Sequence, residues 1–110
     1  KEILNDFKIF STGCVYDTGN RVLNSESQYE EIIELSGLIN HIHIKDKNLN
    51  NENVILGNGI VNFEKIYQAL KFINYKGNFT METNRGEKPI ETAIDNIRIL
   101  KKYATKSNFL

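Results

Sequence analysis

Extended and helical segments alternate along the whole chain, and this alternation restricts the folds that the sequence can adopt. Three short apolar runs end abruptly in polar residues, and they lie at residues 13–16, 38–44 and 78–81. Segments with the helical spacing of apolar side chains flank these runs, and they lie at residues 1–8, 28–36, 62–73 and 89–102. The resulting order, α-β-α-β-α-β-α, predicts parallel βαβ units with right-handed crossovers.

The ends of the predicted helices carry recognisable signals. Ser25 with Gln28, or Ser27 with Glu30, has the spacing of a capping box before the second helix, which should stop near Gly37. Asn62 is a candidate N-cap for the third helix. Pro89 suits the first turn of the last helix, and Lys101 and Lys102 suit its C-terminus. The apolar stripe predicted for the last helix is Ile90, Ala93, Ile94, Ile97 and Leu100.

Two architectures agree with this order of elements. One is a small open α/β sheet, and the other is part of a (β/α)8 barrel. Three parallel strands with one helix apiece make a thin sheet with two open edges. A complete eight-stranded barrel takes roughly 250 residues, whereas this chain has 110. We therefore predict the α/β class and a partial TIM (β/α)8 barrel.

Each of the three predicted strands ends in a residue that can bind a metal ion or transfer a proton. These residues are Asp17, His43 and Glu82. The C-terminal ends of parallel strands gather on one face of the fold, and that face carries the active site in such proteins. Carboxylates with one imidazole suit Mn²⁺, Mg²⁺, Co²⁺ or Zn²⁺ in an open site. The sequence therefore predicts a site for a divalent metal ion at this face.

Each of these residues also has a structural interpretation. Asp17 precedes Thr18-Gly19, which is typical of an Asx turn. His41 shares a strand face with His43 but lies deeper, so it is predicted to be a hydrogen-bonded core residue. A buried Glu82 needs a partner, which is a metal ion, Arg85 or water. The segment Gly57-Asn58-Gly59 is either a phosphate cradle before the next helix or an ordinary loop turn.

Composition excludes several classes of function. The formal net charge is zero and no basic cluster is present, so no nucleic-acid partner is predicted. No apolar run approaches the roughly 18 residues that span a bilayer, so no membrane partner is predicted. The single cysteine, Cys14, excludes an intrachain disulfide framework and a thiolate zinc site, and we interpret it as a small core residue. A reducing, cytoplasmic setting is the expectation.

Four blocks of sequence carry a resemblance to a known family. They are Val15-Tyr16-Asp17-Thr18-Gly19-Asn20, His41-Ile42-His43-Ile44-Lys45-Asp46, Leu56-Gly57-Asn58-Gly59 with Val61-Asn62-Phe63, and Tyr75-Lys76-Gly77-Asn78-Phe79-Thr80-Met81-Glu82. In this order and spacing they resemble the xylose isomerase-like TIM barrels, which include sugar-phosphate isomerases and epimerases, ketose 3-epimerases, hydroxypyruvate isomerase and endonuclease IV. The resemblance implies that the strands are the sixth, seventh and eighth of a barrel, and that residues 1–110 are the C-terminal part of a single barrel domain.

The resemblance also implies roles for individual residues. Asp17, His43 and Glu82 match three of the four metal ligands of the family's isomerases and epimerases, and Glu82 matches one of two acid/base groups. The fourth ligand, which is the other acid/base group, is a glutamate from an earlier strand and would precede Lys1. The residues that we expect to contact substrate are Asn20, Lys45, Asp46, Gly57, Gly59 and Arg85.

The resemblance implies a metal-dependent isomerase or epimerase that acts on a ketose or sugar phosphate through an enediolate. We expect residues 1–110 by themselves to be inactive. The sequence leaves open whether the protein forms a homo-oligomer. One alternative is a sugar-binding barrel without catalysis. Another is a metal hydrolase like endonuclease IV, but the positions that should carry its additional zinc ligands are Asn20, Asn51 and Asn53. Asparagine is a poor zinc ligand, so the sequence disfavours this alternative.

Overall fold

A computed structural model describes residues 13–110 of the chain. Its elements in chain order are β1 (Cys14–Asp17), α1 (Thr18–Val22), α2 (Gln28–Glu34), β2 (Ile39–Ile44), β3 (Asp46–Lys47), β4 (Asn53–Val54), α3 (Phe63–Phe72), β5 (Asn78–Met81) and α4 (Pro89–Lys106). The helix predicted over residues 1–8 lies outside the described residues. Within them, the predicted alternation of strands and helices is confirmed.

The main sheet is parallel and has the order β1-β2-β5. Asp17 pairs with His43 across β1 and β2, and His43 pairs with Thr80 across β2 and β5. All three strands therefore run the same way, and their C-terminal ends lie side by side. The register places the residues that end neighbouring strands next to each other.

The two faces of this sheet differ in character because successive side chains of a strand point to opposite sides. One face packs on the helices and forms the core with Tyr16, Ile42 and Ile44, each at most 2% exposed. The largest helical contribution comes from α3, through Phe63, Ile66, Tyr67, Ala69 and Leu70. On the other face, Val15 is 53% exposed and His41 contacts Thr80. This second face corresponds to the interior of a barrel.

Most of the predicted helix starts are observed. Ser27, rather than Ser25, caps α2 by accepting a hydrogen bond from the Glu30 N–H. Asn62 caps α3 in the same way, through the Lys65 N–H. Pro89 begins α4 without a side-chain cap.

Two short features were not predicted from the sequence. The carboxylate of Asp17, interpreted as a possible Asx turn, accepts the Asn20 N–H and thereby caps the short helix α1. In addition, β3 and β4 form a small antiparallel pair. Both features escape prediction because such short elements are stabilised by contacts that apolar periodicity does not register.

The last helix extends beyond the predicted end, to Lys106, and only part of its apolar stripe is covered. Ile90 is 78% exposed, and Ile94 and Ile97 are each 45% exposed. The buried side of α4 carries Asn96 and Ala104 instead. Among residues 13–110, no element covers the remaining apolar side of α4, as expected for part of a barrel. Within the same residues, none of the helices combines the length and apolar character that a membrane crossing requires.

Candidate functional site

Three side chains converge at the C-terminal edge of the main sheet. The Nδ1 atom of His43 lies 3.1 Å from Oε1 of Glu82 and 4.0 Å from Oδ2 of Asp17. One possible ligand atom from each residue lies within 4.8 Å of the others. The structure therefore brings together the three residues that the sequence placed at the ends of successive strands.

The backbone around each strand end explains this convergence. Asp17 is held at the end of β1 because its Oδ1 atom accepts the Asn20 N–H of α1 at 2.8 Å. Oδ2 of the same carboxylate remains directed towards His43. The Glu82 N–H donates to the carbonyl of Ile44 at 2.9 Å, which continues the pairing of β5 with β2 by one residue. Asp17 is thus an N-cap and a candidate ligand at the same time.

The donor set fits a divalent metal ion. Two carboxylates and one imidazole are suitable ligands for Mn²⁺, Mg²⁺, Co²⁺ or Zn²⁺. Among residues 13–110, these three side chains form a group of candidate ligands that lie close together. The side chain of Asp17 is 13% exposed and that of His43 is 28% exposed. Glu82 is more accessible, at 41%. Asp17 and His43 are thus more enclosed than Glu82.

A lysine lies inside this cluster. Nζ of Lys45 is 3.4 Å from Oδ2 of Asp17 and 3.6 Å from Oε2 of Glu82. It also donates to Oδ1 of Asn20 at 3.5 Å. Two residues expected to contact substrate, Asn20 and Lys45, therefore lie at the candidate site.

Thr18 and Gly19 support the lysine, although sequence analysis assigned them no functional role. The fully buried Thr18 hydroxyl donates to the Lys45 carbonyl at 2.7 Å and accepts the Lys45 N–H at 2.9 Å. A Cβ atom on Gly19 would lie 2.7 Å from Cγ of Lys45, so the lysine stem passes directly over this glycine. The sequence signal for this support is the motif Asp17-Thr18-Gly19, which places small residues directly after a strand.

Asp46 has a different position from the one expected for a substrate contact. It is 1% exposed, and its carboxylate accepts backbone N–H groups from Lys47, Gly57, Gly59 and Val61. The N–H groups of Gly57 and Gly59 both donate to Asp46, so residues 57–59 have the geometry of the loop turn that the sequence left open beside a phosphate cradle. Asp46 instead organises the loop that follows β2.

Arg85 and His41 lie outside the group of candidate ligands. Within residues 13–110, the carboxylate of Glu82 contacts Lys45 and His43 rather than Arg85. Arg85 lies in the following loop beside a cavity lined by Met81 and Asn96. His41 is hydrogen-bonded to the Thr80 hydroxyl at 2.6 Å, as predicted, but it is only partly buried and lies on the sheet face opposite the core.

Four groups with shifted pKa values lie outside the cluster of candidate ligands, on β1, α1 and α2. Burial, with the neighbouring Glu31, raises the pKa of the Tyr16 phenol well above its ordinary value. Burial tends to raise the pKa of Glu31, but hydrogen bonds from Arg21 and Tyr16 outweigh it and lower the pKa. The same hydrogen bond raises the pKa of the Arg21 guanidinium. This network joins α1, α2 and β1. Burial also raises the pKa of the Cys14 thiol.

Comparisons with known proteins agree with this architecture. Among solved structures, L-ribulose 3-epimerase superposes with a TM-score of 0.75 at 17% identity, covering 87% of this chain and 37% of that one. A D-tagatose 3-epimerase-like protein superposes with a TM-score of 0.72 at 29% identity, covering 87% and 36%. The IolI protein, solved with a bound zinc atom, superposes with a TM-score of 0.66 at 24% identity, covering 96% and 41%. The chain thus shares its fold with sugar epimerases and forms part of a TIM barrel.

The sequence comparisons define the family. An uncharacterized protein of Methanocaldococcus jannaschii is 30% identical over 105 residues, which cover 93% of this chain and 34% of the relative. The chain therefore spans about a third of the length of this relative. A sequence profile described as xylose isomerase-like TIM barrel matches residues 2–103. The chain belongs to the xylose isomerase-like TIM barrel family.

Proposed function

We propose that this chain is the C-terminal part of a metal-dependent isomerase or epimerase that acts on a ketose or a sugar phosphate. The observation that carries the proposal is the convergence of Asp17, His43 and Glu82 at the C-terminal edge of a parallel sheet. Membership of the family supports it, as does the 29% identity with a D-tagatose 3-epimerase-like protein. In this proposal residues 1–110 belong to one barrel domain.

The three converging side chains would hold the metal ion. When bound, a divalent ion would supply Lewis-acid polarisation of the substrate carbonyl and stabilise negative charge that develops on the substrate oxygens. Asp17 and His43 are the better positioned as permanent ligands, since their side chains are the less exposed and lie on paired residues of β1 and β2. Their positions are set by the sheet rather than by a loop, which favours a rigid site.

Glu82 would act as the general base and acid. It is the most exposed of the three side chains, and it stands directly after β5 at the C-terminal edge of the sheet. A carboxylate in this position can remove the proton from the carbon next to the carbonyl and later return it. Asn20 and Lys45, which lie beside the carboxylates, are the candidate contacts for substrate oxygens.

The stereochemical outcome depends on a second base. Two bases on opposite faces of the enediolate invert a carbon centre, whereas proton transfer between neighbouring carbons converts an aldose to a ketose. The resemblance implies that the second base is a glutamate outside this chain. The proposal therefore includes both reactions and assigns Glu82 to one face in each.

Solvent-deuterium exchange tests the proposal directly. The full-length protein would be incubated with Mn²⁺ in deuterium oxide with a panel of ketoses and ketose phosphates, and deuterium incorporation would be followed by NMR. We expect exchange next to the carbonyl that requires the metal ion and is lost in Glu82→Gln. The control is Glu87→Gln, which changes an exposed glutamate in the following loop and should leave exchange intact.

The same experiment separates the proposal from its main alternative. Sugar binding without exchange for any member of the panel would contradict catalysis and favour a sugar-binding barrel. Exchange that persists in Glu82→Gln would contradict the assignment of the base while leaving the reaction class in place.

A further inference from the structure

The Lys45 ammonium lies among the candidate metal ligands. It lies between the carboxylates of Asp17 and Glu82, at 3.4 Å and 3.6 Å. The lysine side chain is only 16% exposed, so it lies within the cluster instead of extending into solvent. Its positive charge therefore acts on the same two carboxylates that would bind a metal ion.

The surrounding backbone holds the lysine in this position. Thr18 forms two hydrogen bonds to the Lys45 backbone and so fixes the start of the side chain. Gly19 leaves the space through which the lysine stem passes, because a Cβ atom there would collide with Cγ of Lys45. Asn20 then accepts a hydrogen bond from the ammonium. Three successive residues after β1 thus direct one side chain towards the carboxylates.

We infer that Lys45 is a built-in counter-cation of the metal centre, which keeps the two carboxylates together and lowers their affinity for a divalent ion. This inference rests on the proposed metal site. Opposite charges at these distances attract, so the ammonium balances the carboxylates when they hold no other cation. A divalent ion at the same carboxylates is repelled by the ammonium, and its binding is weakened accordingly. Lys45 therefore lowers the affinity of the site for the metal ion.

The inference predicts the direction of a change in affinity. A lysine that only supported the fold would, on removal, weaken metal binding or leave it unchanged. Removal of a competing cation strengthens it. We expect Lys45→Met to bind Mn²⁺ about ten-fold more tightly, the order expected when one positive charge leaves the neighbourhood of a divalent ion in a water-like medium.

Isothermal titration of the metal-free full-length protein with Mn²⁺ at constant pH and ionic strength measures this effect. The matched control is Lys47→Met, which makes the same change in net charge at a lysine whose ammonium contacts Oδ1 of Asn51 at 3.0 Å. Lys45→Arg, which retains the charge, should bind Mn²⁺ close to the wild-type affinity. Circular dichroism would establish that each variant is folded, and Lys45→Gln provides the same test if Lys45→Met is not.

The outcomes distinguish this inference from the proposed function. Unchanged or weaker Mn²⁺ binding by the folded Lys45 variants, with the wild type still binding, would overturn the role of Lys45 and leave the metal site in place. Equal tightening in Lys47→Met would also overturn it, because the effect would then follow net charge alone. If the wild-type protein and every variant fail to bind a divalent ion, both the inference and the metal site are refuted.

Discussion

Replacement of Asp46 by asparagine should destabilise the protein strongly, although the two side chains have almost the same shape. The Oδ1 atom of Asp46 accepts N–H groups from Lys47 and Val61, and Oδ2 accepts those of Gly57 and Gly59. An asparagine has one oxygen and one NH₂ group. Whichever way the amide is turned, two of the four backbone N–H groups face the NH₂ group of the asparagine, which cannot accept a hydrogen bond.

The expected loss follows from these two hydrogen bonds. A hydrogen bond to a charged group contributes about 1.5–3 kcal/mol, so two of them correspond to roughly 3–6 kcal/mol. Gly57 is exposed and Gly59 is half-buried, so water can replace part of this loss. We therefore expect the free energy of unfolding to fall by about 2–4 kcal/mol in Asp46→Asn.

Urea denaturation of the full-length protein, followed by circular dichroism, measures this difference. Asp95→Asn is the matched control, because Asp95 is exposed and pairs only with Arg98 of its own helix among the described residues. The control should change the free energy of unfolding by less than about 0.5 kcal/mol. A loss below about 1 kcal/mol in Asp46→Asn would refute the argument that the four N–H groups depend on a carboxylate.

Two further predictions concern the supports of the site. Thr18→Val should lower the free energy of unfolding by about 2–3 kcal/mol, since it removes both hydrogen bonds to the Lys45 backbone. Thr18→Ser keeps the hydroxyl and should retain most of the stability. Thermal denaturation compares the two variants, and equal losses would contradict this role of the hydroxyl. The lowered pKa of Glu31 contributes stability that is present above its unfolded pKa and is lost as pH falls through the lower folded value. Glu31→Gln should therefore lose less stability than the wild type as the pH falls below about 4.5, the ordinary pKa of a glutamate, and parallel pH–stability curves would contradict this.

Much of the fold follows from local patterns in the sequence. Apolar runs and helical spacing predicted the alternation of strands and helices, and side-chain chemistry predicted the cap at Asn62 and the start of α4 at Pro89. These signals depend on neighbouring residues only. The three strand ends, with Asp17, His43 and Glu82, were also identifiable, because a parallel sheet gathers its C-terminal ends whatever the details of its packing.

Tertiary structure alone decided how the polar residues around the site are paired. The sequence did not predict that Asp46 binds the loop N–H groups, which lie up to 15 residues away, or that Thr18 binds the backbone of Lys45, 27 residues away. It also could not place the Lys45 ammonium between two carboxylates from different strands. Local periodicity determines the main strands and helices, but not the short elements α1, β3 and β4. The register of the assembled sheet and the path of its loops determine which distant side chains meet, and this is why the pairing at the site required the tertiary structure.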